Sequence, residues 1–259
     1  MAHRHAFNWK VLFTCFFRTY FVGAAFNTRG MQNVGLVFVL EPGLKAIYKD
    51  PEARREARNR YLRHYNTHPF WTPLLAGMFL SLEDKISRGG FPPSVLESMK
   101  NTTIYTLSAI GDSVFAGSLL VFWSLSTVIF LVSGQILSAV LWGVLWLSLL
   151  QLFKLYTFIL GYREGLKFLV RLKRWDLINW GQRLKMFNAL LVALLLFQIW
   201  PEAEFGPYWI AAVAALLVSA WLVFRSYVGR EMLALLLLLG YVLYPHVEEY
   251  VRSFLSGIF

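Results

Sequence analysis

Trp9, Leu12, Phe13, Phe16, Phe17 and Tyr20 recur at the spacing of one helix face, while Lys10, Thr14 and Arg18 line the opposite one. That pattern predicts an amphipathic helix within residues 1–25, lying in a membrane interface with its cations among headgroups or docked on another subunit. Arg18 inside the apolar run argues against a cleaved signal peptide. The next apolar stretch, Asn33 to Leu44, is too short to span a bilayer and carries Pro42 and Gly43, which predict a break. Beyond it Asp50 offers an N-cap, Pro51 suits the first helical turn and Glu52 complements the dipole, so a helix is expected to about His64. Arg54, Arg55, Arg58, Arg60 and Arg63 occupy its outer faces and Ala53, Ala57, Tyr61 and Tyr65 its apolar stripe, the pattern of a solvated cytoplasmic helix.

Pro69 and Pro73 then bound an apolar segment, Phe70 to Leu82, whose 13 residues reach only about 20 Å as a helix, short of the roughly 30 Å of hydrocarbon. A re-entrant, half-crossing segment is the reading. "SRGGFPPS" at 87–94 is a loop, and residues 103–117 are rich in Gly, Ser, Thr and Ala, which lets helix backbones approach closely. Sustained apolar character begins at Leu119, with Ser133 and Gly134 marking a break before Ile136 to Leu160. Further on, the basic stretch 163–185 is placed inside, Met186–Trp200 crosses outward, the acidic turn "PEAEFG" at 201–206 lies outside and Tyr208–Phe224 returns. Met232–Tyr244 then leaves again, putting the C-terminus on the extracytoplasmic side. The expected fold is an all-α integral membrane protein with an interfacial N-terminal helix, broken and re-entrant helices and several transmembrane helices. Its expected divisions are 1–25, a core at 26–185, and C-terminal spans at 186–259.

Composition agrees with the patterning: 57% of the 259 residues are hydrophobic and only 15% charged, against about a quarter charged in soluble domains. A net charge of +10 raises the question of nucleic acid, but the cations sit beside apolar runs, as at "EARREARNRYLRH" (52–64) and "REGLKFLVRLKRWD" (163–176). That is the positive-inside distribution, so the expected surface partner is the lipid bilayer and not nucleic acid. Cys15 has no second cysteine to pair with. His64 and His68 are four apart, but Asn66, Thr67 and Pro69 around them disfavour a regular helix, so helix-end and loop roles are assigned and no metal is expected.

Asp112 places a carboxylate in "SAIGDSVFAGSLL", among small and apolar residues. A charge at membrane depth costs about 2.5–3.5 kcal/mol on insertion scales, so such a group is shielded from lipid and often functional. Gly111 beside it is expected to break the helix, exposing backbone groups that a polar solute satisfies. Capping of the helix from Ser113, or pairing with an arginine, stays open as the structural alternative.

Read in order, "FNTRGMQNVGLVFVLEPGLKAIY" (26–48), "RHYNTHPFWTPLLAGMFLSLED" (63–84) and "AIGDSVFAGSL" (109–119), with "LGYREGL" (160–166), resemble the IID component of the mannose/fructose/sorbose family of the bacterial sugar phosphotransferase system. The resemblance implies a permease subunit in the bacterial cytoplasmic membrane that pairs with IIC and translocates a hexose-type sugar, which the IIB protein, supplied by IIA, phosphorylates. It implies substrate-binding positions at Asn27, Gln32, Gly111, Asp112 and Ser113, and a structural turn at Asn66, Thr67, His68 and Pro69. Amides and a carboxylate suit adjacent sugar hydroxyls. IID is not itself the phosphocarrier, and no P-loop or nucleophile motif appears, so neither a catalytic residue nor a cofactor is expected. The chain departs from the family pattern at Arg29, Gly30 and Ala116. A diverged scaffold or regulatory subunit that pairs with IIC without binding sugar is therefore the alternative function.

Overall fold

α1 (Trp9–Arg18) opens on Asn8, whose side chain accepts the Lys10 N–H at 3.1 Å, and continues into a 3-10 stretch, Thr19–Ala25. The computed structural model describes residues 8–199 and 207–225 and six single positions between 227 and 238. Every regular element among them is helical. The chain forms two units, Met1–Gly181 and Gln182–Phe259.

Within the first unit, Cys15 of α1 is buried, Leu12 and Phe16 pack on the core, and Trp9, Phe13 and Phe17 stay exposed. An apolar ridge outside and a packed edge inside are what an interfacial helix requires. α2 (Asn33–Ile47) passes straight through Pro42, contrary to the expected break. A proline at position 42 removes the N–H that would bond the Phe38 carbonyl one turn back. Arg18 replaces that donor: its guanidinium bonds the Phe38 oxygen at 3.0 Å and lies 4.3 Å from the Phe38 ring.

α3 (Pro51–Asn59) is capped as expected, the Asp50 carboxylate accepting the Ala53 N–H at 2.8 Å. It ends at Asn59 and does not reach His64, because Tyr61 and Tyr65 turn fully inward and Tyr65 pairs with backbone far away in sequence. Asp50→Ala is expected to lower stability by about 1 kcal/mol, seen as a small drop in the thermal unfolding midpoint in detergent; an unchanged midpoint would remove the cap from this account.

α4 (Thr72–Ser87) is buried on every face from Thr72 to Glu83, so the segment expected to be half-crossing is the central helix of the unit. It crosses α7 (Ile136–Glu164) where Gly77 and Gly161 meet. A Cβ on Gly77 would stand 2.3 Å from the Phe158 carbonyl oxygen, and one on Gly161 would stand 2.4 Å from that of Leu74. At the far end of α4 the buried Glu83 carboxylate accepts from Arg60 at 2.6 and 3.1 Å, Tyr48 at 2.7 Å and Tyr61 at 2.8 Å. These groups lie outside the candidate spans. Burial, reinforced by the charge of Glu83, pushes both phenols up, so they remain donors at neutral pH.

α5 (Pro93–Gly111), a π-helical stretch (Asp112–Leu119) and α6 (Leu120–Val132) form one continuous helix of 40 residues. The expected break at Gly111 is instead a widening of the helix, which keeps the backbone bonded internally at membrane depth. Ser118 serves this stretch, its hydroxyl bonding the Ser113 carbonyl at 2.8 Å and that of Gly181 at 3.1 Å. Ser133 and Gly134 turn the chain, with Gly134 at φ +72, into α7. α8 (Lys167–Arg174) and α9 (Leu177–Ile199) follow. Pro93–Val132, Ile136–Glu164 and Lys167–Ile199 are each long and apolar enough to cross a membrane, and α6 buries none of its residues within the chain. In the second unit, α10 (Pro207–Phe224) is a further apolar helix. The expectations for "PEAEFG", for Met232–Tyr244 as a span and for the C-terminus fall outside the described residues.

Candidate functional site

Three loops and helix ends, distant in sequence, meet at the N-terminal end of α4. In the first, Asn27 and Met31 exchange backbone hydrogen bonds of 2.9 Å, with Met31 held at φ +60. The Asn27 amide is engaged at both ends: its oxygen accepts from Gly30 at 2.8 Å and Arg29 at 3.2 Å, and its nitrogen donates to Asn33 at 2.9 Å. Glycine suits position 30, since a Cβ would fall 2.1 Å from the Asn33 amide nitrogen and displace a side chain that bonds Asn27 and the Leu62 carbonyl. The departure at that position is thus a packing solution of this chain.

The second piece docks on the first through backbone bonds and through the Asn33 amide, which donates to the Leu62 carbonyl at 2.5 Å. Gln32 N–H bonds the Tyr65 carbonyl at 2.8 Å, and Tyr65 N–H bonds that of Gly30 at 3.1 Å. This short pairing carries the chain to the Asn66–Pro69 turn, where the His68 carbonyl accepts from Trp71 N–H at 2.9 Å and the Nδ1 of His68 accepts from Phe70 N–H at 3.3 Å. His68 therefore shapes the entry into α4. Its ring goes to Phe115 while the His64 ring stacks on Tyr105, so the two histidines serve different surfaces.

The third piece is the π-helical stretch. A Cβ on Gly111 would lie 2.3 Å from Cβ of His68 and 3.0 Å from Trp71, so only glycine lets α5 touch the turn. One turn on, Phe115 stacks on His68 at 5.2 Å and meets Phe70, Trp71 and Phe153 edge-on at 5.0–5.4 Å. Asp112 begins the widened stretch, exposed on this chain, with its charge close enough to act on His68. Ser113 is half-buried beside it. π-bulges of this kind recur at functional sites.

Next to His68 opens a cavity of about 220 Å³, walled by Phe70, Phe115, Trp123 and Trp146. The Nε1 atoms of Trp71, Trp123 and Trp146, with Oγ1 of Thr67 and Oε1 of Gln32, are buried without a hydrogen-bond partner among the described residues. Buried polar atoms are rarely left so, and an ordered water is the usual partner. Outside that wall the Lys154 ammonium lies 5.1 Å from the Phe70 ring and 4.4 Å from that of Tyr20, whose hydroxyl bonds Gln151. The wall of this cavity is thus aromatic and aliphatic, as the walls of small-solute sites mostly are, with the Asp112 carboxylate and the Lys154 ammonium outside it. Trp71, Trp123, Trp146 and Lys154 were not among the residues the sequence pointed to. Among the apolar runs their only signal was an aromatic or cationic side chain in a span.

Residues 7–199 match the family model described as PTS system mannose/fructose/sorbose family IID component. The chain belongs to this family. It is 29% identical over 111 residues to the fructose permease IID component of Bacillus subtilis (strain 168), covering 42% of this chain and 40% of that one. To the mannose-specific EIID component of the phosphotransferase system in Escherichia coli (strain K12) it is 28% identical over 154 residues, 58% of this chain and 54% of that one. The chain thus aligns with about half the length of the curated relatives it matches. In fold it is similar to a solved membrane protein, with a TM-score of 0.68 and 19% identity over 93% of this chain and 97% of that one. It is also similar to a chain in the cryo-EM structure of mannose transporter ManYZ with microcin E492, with a TM-score of 0.56 and 20% identity over 92% and 96%. The segments that join at His68 are those in which the IID resemblance resides, and all of them lie inside the matched region.

Proposed function

We propose that this IID chain is a subunit of a sugar permease of the bacterial cytoplasmic membrane. It pairs with a IIC membrane protein and forms one wall of the site that receives a hexose-type sugar. A IIB protein, recharged by IIA, phosphorylates the sugar on the inner side. The observation that carries this reading is the convergence of the Gln32, His68 and Gly111–Asp112 segments beside an open cavity walled by His68, Phe70, Phe115, Trp123 and Trp146. A site open on one side is completed by a second protein, and a carboxylate exposed in the apolar part of one chain gains its shelter there. In this scheme Asp112 and the Gln32 carbonyl oxygen accept sugar hydroxyls, Gly111 and Ser113 line the approach, and Asn27 holds the Gln32 loop in place. The Asn66–Pro69 turn sets the angle at which His68 and Phe115 present their rings.

Membrane vesicles carrying this chain with its IIC, IIA and IIB partners are expected to phosphorylate a hexose at the expense of phosphoenolpyruvate. Asp112→Asn, still co-purifying with IIC, is expected to lower that rate about tenfold to a hundredfold, the range for loss of a hydrogen bond to a charged group. Full activity in Asp112→Asn would return the chain to the scaffold reading.

A further inference from the structure

A larger groove, of about 520 Å³, lies away from His68, between α5 and the α8–α9 segment and within the first unit. Its volume is in the range of ligand cavities. Along α5 the lining changes from the hydroxyl side chains Thr102, Thr103 and Thr106 to the aliphatic Leu107 and Ile110. Those positions span about 12 Å of helix, running from the basic, cytoplasm-facing end toward the interior of the span. On the opposite wall Leu169, Leu172 and Leu177 continue the apolar part.

The polar end is unusual for this chain. Elsewhere in the spans hydroxyls bond back to their own helix: Ser126 to Phe122 at 2.7 Å, Thr127 to Trp123 at 2.6 Å, Thr157 to Phe153 at 2.8 Å. The hydroxyls of Thr102, Thr103 and Thr106 make no such bond among the described residues. Lys173 lines the same groove without an ion pair among the described residues, whereas its neighbour Arg171 is paired with Glu164 at 2.9 Å. Asp176, the acid of this lining, has both carboxylate oxygens on the Asn179 amide, at 2.8 and 2.9 Å. One ammonium, a row of hydroxyls and the amide-bonded Asp176 carboxylate thus face a cleft that turns apolar with depth.

The short helix of Lys173, α8, also carries Lys167, Arg171 and Arg174, which raise the positive charge of this end of the chain. A basic pocket between helices at the cytoplasmic interface has the chemistry that recognises acidic lipid headgroups. We propose that this groove is a site for one anionic phospholipid, its phosphate held by Lys173 with Thr102 and Thr106, and an acyl chain lying along Leu107, Ile110 and Leu169. The change of lining with depth selects a lipid over free phosphate, which has nothing to place against the leucines.

Native mass spectrometry of the full, delipidated chain in detergent tests this, with phosphatidylglycerol, phosphatidylcholine and inorganic phosphate as probes. Phosphatidylglycerol is expected to give a one-to-one adduct that survives activation, held about tenfold more tightly than phosphatidylcholine. Lys173→Glu is expected to abolish that preference, the Thr102→Val/Thr106→Val pair to weaken it, and Ile110→Trp to block both lipids. Arg55→Glu, an equal charge change on exposed α3, should leave it intact. Equal retention of the two lipids, an undiminished adduct in Lys173→Glu, or displacement by millimolar phosphate would each overturn the proposal. Lys173 is exposed, so its variant keeps the fold, and the thermal midpoint without lipid confirms this.

Discussion

Glu83→Ala is expected to destabilise the protein by about 3–5 kcal/mol, because it strips a buried ion pair of one member and leaves the other charge uncompensated. Glu83 is fully buried and the Arg60 side chain is only 10% exposed, so water cannot take over the lost partner. The Tyr48 and Tyr61 hydroxyls lose their acceptor in the same step, each a further cost of about 1–3 kcal/mol if it stays dry. The cluster also clamps four parts of the fold: the ends of α2 and α3, α4, and α5 through Lys100, whose ammonium bonds the Arg60 carbonyl. Burial by itself would favour loss of the Arg60 proton, and the hydrogen bonds and charge of Glu83 outweigh it, raising Arg60 further. Thermal unfolding in mild detergent, followed by tryptophan fluorescence, measures the effect. Restoring an apolar set with Arg60→Met, Glu83→Leu, Tyr48→Phe and Tyr61→Phe together is expected to recover most of the loss. A single Glu83→Ala variant as stable as the parent would show that the carboxylate holds nothing.

The second large effect is expected at the crossing of α4 and α7. Gly77→Val or Gly161→Val puts atoms where backbone of the facing helix already stands, 2.3 and 2.4 Å from where each Cβ would be. Side chains can rotate out of such a clash and carbonyl groups in helices cannot, so the helices must separate. Overpacking costs about 1–3 kcal/mol, and with backbone on both sides the upper end is expected. Separation also loosens Phe158 and Trp71, and through them Phe115 and the cavity beside His68. The two substitutions combined should cost less than their sum, since once the helices are apart the second clash is already relieved. Unfolding midpoints of the two single variants and the double one decide this: full additivity, or no loss at all, would refute the close crossing. The glycine of "LGYREGL" at position 161 thereby acquires a physical reason, and Gly165, at φ +56, ends α7 in a conformation few other residues adopt.

By itself the sequence determined the solvent, the helical class and the family. Long apolar runs with cations gathered beside them leave few structures other than membrane helices, because backbone polar groups in lipid must be bonded within their own segment. Local chemistry also settled the Asp50 cap and the Gly134 turn, where the deciding atoms are neighbours in sequence. Only the tertiary structure decided what depends on distant partners. Pro42 does not end α2, since Arg18, 20 residues from Phe38, supplies the missing donor. Gly111 widens its helix and does not break it, since its bare Cα is where His68 fits. Arg60 and Tyr61 leave what reads as a solvated helix because Glu83, far along the chain, is buried and must be satisfied. In each case the side chain's local preference was legible, but the hydrogen bond or contact that overrides it comes from a residue whose distance in space no spacing in the sequence records.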